Sequence, residues 1–211
     1  MRRVVVLALL ALALPIAASA DIILTNTNGS ILISGCCGLG SVVNSTGSHL
    51  HSWGAITAPP GHALGSVSFS TGALTSGSLW TGGTFSSAGS TFDVLGVGKW
   101  TQKLPGAPKG PVALFTGSFT GPITWTVVSH VGQNWTFQLS GAITGLYYDG
   151  RTVSGTTTQT LYSSTGQFTQ GVGHIRVGTT NLTVPEPGTL GLLGTGLVGI
   201  AGMFRRKLIG A

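Results

Sequence analysis

Acidic residues are nearly missing from this chain. It holds four, Asp21, Asp93, Asp149 and Glu186, among 211 residues, and only 7% of the sequence is charged at all. A glycoside hydrolase needs two carboxyl groups flanking the bond it breaks. Asp21 falls at the expected start of the mature chain and Asp149 belongs to an expected turn, so Asp93 is left without a partner. Serine is plentiful, but no G-x-S-x-G elbow is present. The expectation is a protein that is not an enzyme, with a secreted hydrolase as the alternative, and no cofactor is expected.

Cysteine is equally scarce. The two present, Cys36 and Cys37, are adjacent. Their Cα atoms would lie about 3.8 Å apart, closer than a disulfide prefers, so a bridge between them would be strained. They also lack the C-x₂-C spacing of zinc motifs. Helical periodicity is missing too: no stretch of residues 21–184 repeats its apolar positions every 3.6 residues.

Positive charge sits mostly at the ends. The formal net charge is +6, but Arg2, Arg3, Arg205, Arg206 and Lys207 all lie in terminal segments. The body between keeps Lys99, Lys103, Lys109, Arg151 and Arg176 against Asp21, Asp93 and Asp149, a net of +2. No basic patch is dense enough to grip phosphates, which excludes a nucleic-acid partner.

Both ends read as handling signals. Met1-Arg2-Arg3 is a charged start, Val4 to Leu14 an apolar stretch, and Ala18-Ser19-Ala20 a small-residue cleavage site. This pattern, over residues 1–20, predicts a secretory signal peptide, read by the Sec translocon and cut by signal peptidase before Asp21. At the other end Val184-Pro185-Glu186-Pro187 precedes an uncharged run from Gly188 to Phe204, followed by Arg205-Arg206-Lys207. About 17 apolar residues are just enough to cross a hydrocarbon core as a helix. Pro185 and Pro187 exclude themselves from its interior. The basic cluster would stay cytoplasmic and act as a membrane stop, which puts residues 21–184 on the far side of the inner membrane.

These three features in this order resemble the PEP-CTERM sorting signal of bacterial surface proteins, here residues 185–211. The resemblance implies processing by an exosortase, a membrane transpeptidase, at or near Pro185-Glu186-Pro187. It also implies transient residence in the inner membrane, then delivery to the cell surface or the extracellular matrix. It says nothing of what the body does.

The body, residues 21–184, reads as strands parted by glycine turns. Ile31 and Ile33 alternate, as do Val67 and Phe69, and Ile175 and Val177. Ile123 to Val127 puts apolar residues on one face and threonines on the other, and Trp135, Phe137 and Leu139 repeat the period. Gly121-Pro122, Asp149-Gly150 and Ser164-Thr165-Gly166 mark turns. Tyr147 to Thr152 predicts a hairpin, with Asp149-Gly150 supplying positive φ angles. The fold expected is all-β, an antiparallel β-sandwich, with a barrel or jelly roll as alternatives. Residues 21–64 look irregular, with a loose loop.

Two kinds of function stay open. A noncatalytic exported surface or matrix protein, associated with extracellular polysaccharide, needs only a stable neutral β scaffold. A secreted enzyme or metal-binding module would use His49, His51 and His62 with Cys36 and Cys37, because histidines two apart on a strand share a face and thiolates complete a tetrahedral zinc set. Loop histidines without a metal are the simpler reading. His130 and His174 read as partly buried packing residues. Trp125 and Trp135 fit inward positions, and Trp100, beside the lysines, is the expected exposed tryptophan.

Overall fold

A computed structural model describes residues 19–35, 38–104, 106–107, 109–164 and 172–185. The chain divides into two units, Asp21–Thr183 and the two ends, Met1–Ala20 with Val184–Ala211. The expected signal peptide and the apolar run after Pro187 lie outside the described residues.

Thirteen strands form in the described residues: β1 (Ser19–Thr27), β2 (Gly29–Ser34), β3 (Val42–Trp53), β4 (Ile56–Thr57), β5 (Gly65–Ser70), β6 (Leu74–Ser78), β7 (Gly82–Phe85), β8 (Thr91–Gly96), β9 (Val112–Phe119), β10 (Ile123–Val131), β11 (Asn134–Tyr147), β12 (Thr152–Ser163) and β13 (Val172–Pro185). A short 3-10 helix, Lys99–Lys103, lies between β8 and β9. Eight of the strands close a ring in the order β2, β3, β5, β8, β9, β11, β12, β13 and back to β2, all antiparallel. The all-β antiparallel class therefore stands, and of the arrangements the sequence left open it is the closed barrel that forms, not the sandwich. Closure removes the free edges that an open sheet must protect.

The extra strands extend the barrel staves. Along β3, His49 faces Thr27 of β1 and Thr46 faces Ser30 of β2. These two strands are thus one stave, broken where Asn28 takes φ 58° and donates its amide to Ile175. Asparagine tolerates that left-handed conformation better than other non-glycine residues. In the same way β9 and β10 lie end to end along β11, parted by Gly121-Pro122, and β7 continues β8 along β10. Residues 21–64 are therefore not irregular. They supply two full staves, which their polar Asn, Ser and Thr content concealed.

The interior is filled by side chains in two unlike halves. Phe69, Phe85, Phe92, Phe115, Trp125 and Phe137 fill one half, each under 3% exposed. Phe92 sits at 6.2 Å from Phe69 and 6.1 Å from Phe115, and Trp125 stacks on Phe137 at 4.8 Å between centroids. The Trp125 indole donates to the Leu79 carbonyl at 2.9 Å, so its one polar atom is satisfied. The other half holds a polar group among aliphatic side chains such as Leu24, Leu50, Leu161 and Leu182. Asn26 of β1 and Gln159 of β12 join amide to amide at 3.0 and 3.3 Å. Asn26 also donates to Ser48 at 2.6 Å, and Gln159 donates to Thr157 at 2.9 Å. Thr157 and Thr180 share a 2.8 Å bond. The pair meets over β13 because Gly178 has no side chain there; a Cβ would fall 2.0 Å from Gln159 Oε1 and 2.2 Å from Asn26 Oδ1. Burying amides costs free energy unless they are paired, and these are paired with each other.

The polarity of the wall runs opposite to a membrane barrel, whose apolar band faces outward. Here outward positions at the middle of β10, β11 and β12, such as Thr124, Thr126, Gln138, Ser140, Thr156 and Thr158, carry hydroxyl and amide groups, with Val128, Val131 and Leu146 exposed nearer the strand ends, while Trp125, Phe137 and Leu139 point in.

Candidate functional site

Chain entry and exit lie together. Thr183 near the end of β13 donates to the Asp21 carboxylate near the start of β1 at 3.1 Å. Trp53 and Tyr147 stack at 6.0 Å at this end, and Arg151 lies 5.9 Å over the Tyr147 ring. Burial pushes the Tyr147 hydroxyl well above its ordinary pKa, with Tyr148 the next cause. The predicted hairpin is here, between β11 and β12. Only Gly150 takes a positive φ, 84°; Asp149 does not, so the turn is not the two-residue form expected. Instead Gly150 N–H donates to Tyr147 O at 2.8 Å and the Tyr147 amide donates to Arg151 O at 2.9 Å, a three-residue loop ending in a left-handed glycine. The Asp149 carboxylate accepts from Arg151 at 2.8 Å, which holds its carboxyl below the usual range.

The sorting residues begin where the barrel ends. β13 runs through Val184 to Pro185, so the Pro-Glu-Pro segment follows the last stave without a linker. Glu186, Pro187, the run Gly188–Phe204 and Arg205, Arg206 and Lys207 lie outside the described residues. So does Ala18 of the expected cleavage site, whereas Ala20 falls within β1.

The metal candidates do not assemble among the described residues. His49 and His51 share the outer face of β3 as expected, with Leu50 buried between them, and His62 follows the turn closed by its amide on Pro59 O. Among the described residues no three His, Asp, Glu or Cys side chains gather closely enough to hold a metal ion. Cys36 and Cys37 lie outside those residues. Asp93 stands on the outer face of β8, opposite Thr116 of β9. Burial raises its pKa, and the Thr116 hydrogen bond opposes the rise. Asp93 thus belongs to the outer wall, its carboxyl held by Thr116 across the strand pair.

The far end of the barrel is aromatic. His130 of β10 stacks on Trp135 of β11 at 3.6 Å, and Trp80 meets Trp135 edge-on at 6.0 Å. The histidines depart from expectation: His130 and His174 are both exposed. Trp125 is buried as expected, but Trp135 is half-buried at the rim. Trp100 is half-buried too, its indole donating to Leu64 O at 2.6 Å.

Among known families, the one described as the PEP-CTERM protein-sorting motif matches residues 183–207. No curated protein and no solved structure matches the chain. The chain is thus of the class exported to the cell envelope or surface. Within that class it is a PEP-CTERM sorting-motif protein, a substrate for an exosortase-type enzyme. The match begins inside β13, so folded body and sorting signal share Thr183, Val184 and Pro185.

Proposed function

We propose that the barrel is a noncatalytic surface or matrix protein, associated with extracellular polysaccharide after its tail is removed. The single observation that carries this is the sorting motif joined directly to the closing stave of a barrel whose interior is filled by its own side chains. The steps are export through the Sec translocon, loss of residues 1–20 to signal peptidase, and a stay in the inner membrane on the helix from Gly188 to Phe204. Arg205, Arg206 and Lys207 hold that helix against further crossing. The exosortase-type enzyme then acts at Pro185-Glu186-Pro187. Six glycines in the run weaken the helix as a permanent anchor, which suits a temporary one. Fractionation of the host tests this. The protein should be found in the matrix when the processing enzyme is present, and in the membrane when it is deleted or when Glu186 is changed to Ala. The same distribution with and without the enzyme would refute the proposal.

A further inference from the structure

One sector of the barrel wall carries an ordered array. The strand registers place Ser76 opposite Thr84, Thr84 opposite Thr124, Thr124 opposite Ser140, Ser140 opposite Thr158, and Thr158 opposite Thr179. These six hydroxyls form one row across β6, β7, β10, β11, β12 and β13. Strands stand about 4.8 Å apart, so the row runs for roughly 24 Å. All six reach solvent, because their sequence neighbours Phe85, Trp125, Leu139 and Gln159 take the inward positions. A second row, Thr126, Gln138 and Thr160, lies about 7 Å further along the strands. Thr156 and Asn181 face each other on the opposite side of the first row.

Two features set this sector apart. Elsewhere on the wall neighbouring hydroxyls bond one another: Thr25 with Ser52 at 2.7 Å, Ser70 with Thr91 at 3.0 Å, and Thr144 with Ser154 at 3.2 Å. Among the described residues the six hydroxyls of the row bond no other side chain. The rows also hold no charged side chain. Lys99, Lys103, Lys109 and Arg151 sit on connections, and of the described cations only Arg176 lies on a strand of this sector.

We propose that this face binds an uncharged polysaccharide chain lying across the strands. Each hydroxyl both donates and accepts, as the hydroxyls of a sugar do. Threonine is stiff at χ1, so little side-chain freedom is lost on binding, and its methyl offers apolar contact beside each hydroxyl. A face without cations gives an anionic polymer no Coulombic attraction. The inference rests on the surface-protein reading and adds to it the location and the charge class of the partner.

The test uses mature protein recovered from its host. Wild type is compared with the triple variant Thr124→Val, Ser140→Ala, Thr158→Val, which keeps strand-forming shapes, and with the control Ser70→Ala, Thr91→Val at a matched pair. Far-ultraviolet circular dichroism confirms that each folds, and if the triple variant does not, Thr158→Val alone replaces it. Each is mixed with an insoluble uncharged β-glucan and, separately, with alginate. Wild type and control should bind the glucan whether or not salt is added, and the triple variant should bind at least about tenfold more weakly, from the loss of three hydrogen bonds. No glucan binding, equal binding by the triple variant, or binding to alginate alone that salt abolishes would each overturn the proposal. Matrix localisation is scored separately: a protein that reaches the matrix but fails the glucan test loses this face and keeps its sorting, whereas one that never leaves the membrane fails the reading beneath.

Discussion

The two halves of the barrel interior solve one packing problem by opposite chemistry. The half walled by β5, β8, β9, β10 and β11 is aromatic, with Phe69, Phe92, Phe115, Trp125 and Phe137 in ring contact. The half walled by β1, β3, β12 and β13 sets a polar group, Asn26, Ser48, Thr157, Gln159 and Thr180 in one hydrogen-bonded network, among buried aliphatic side chains such as Leu24, Leu50, Leu161 and Leu182. The aromatic half gains its stability from area, at about 25 cal/mol per Å² removed from water. The polar half gains little net free energy per bond, because every bond replaces one to water. What it adds is geometry: an amide pair that fits only over Gly178 fixes how β13 closes against β1 and β12. Closure by sequence-distant strands is the step most in need of a fixed register.

The largest effect is expected in the aromatic half. Trp125→Ala should cost about 3–5 kcal/mol, since it opens a cavity beneath Phe85 and Phe137. Chemical denaturation read by tryptophan fluorescence would measure it, and a loss no larger than that of a surface threonine would erase the contrast between halves.

A double-mutant cycle sharpens the comparison on the polar side. Asn26→Leu alone leaves the buried Gln159 Oε1 without its donor and should cost about 1–3 kcal/mol. Adding Gln159→Leu removes the orphan, so the double variant should lose less than the sum of the two single losses. Simple additivity would mean that the amides do not act as a pair.

The smallest effect is electrostatic, and its two members have opposite sign. Arg151 holds the Asp149 carboxyl low, so the stability this pair gives is present above the unfolded carboxyl pKa and is lost as pH falls through the lowered folded value. Burial raises Asp93, so its stability is full below the unfolded value and is lost as pH rises through the raised folded one. At neutral pH Asp149→Asn should therefore destabilise, by a few tenths of a kcal/mol for so exposed a pair. Asp93→Asn should be neutral or stabilising. Thermal melts of both variants across acid pH would show the two slopes crossing.

The same contrast explains what was legible in the sequence. Alternation at Ile123–Val127 and at Trp135–Leu139 is plain because inward apolar and outward polar residues differ, and both strands form in register as neighbours. On the polar side that code fails. Asn26, Thr157 and Gln159 look like surface residues, which is why residues 21–64 read as irregular. A bulge between Thr160 and Leu161 also shifts the register, burying Ile175 and leaving Val177 41% exposed, although their spacing suggests a shared face. Sandwich and barrel were indistinguishable from alternation alone, since closure depends on β13 meeting β2, more than a hundred residues away in sequence. The hydroxyl row had a partial signal in Thr124 and Thr126, but its continuity across six strands exists only in the registers. The sorting signal was fully legible, because it is a linear pattern that needs no tertiary structure to be recognised.

The most direct test of the account is the intact mass of the mature protein isolated from a host that carries an exosortase-type enzyme. The account predicts a chain that begins at Asp21 and ends at or near Pro185-Glu186-Pro187, with any group joined there seen as added mass, and an uncut species when that enzyme is deleted. A mature protein that keeps its C-terminus through Ala211 while the enzyme is present would contradict it.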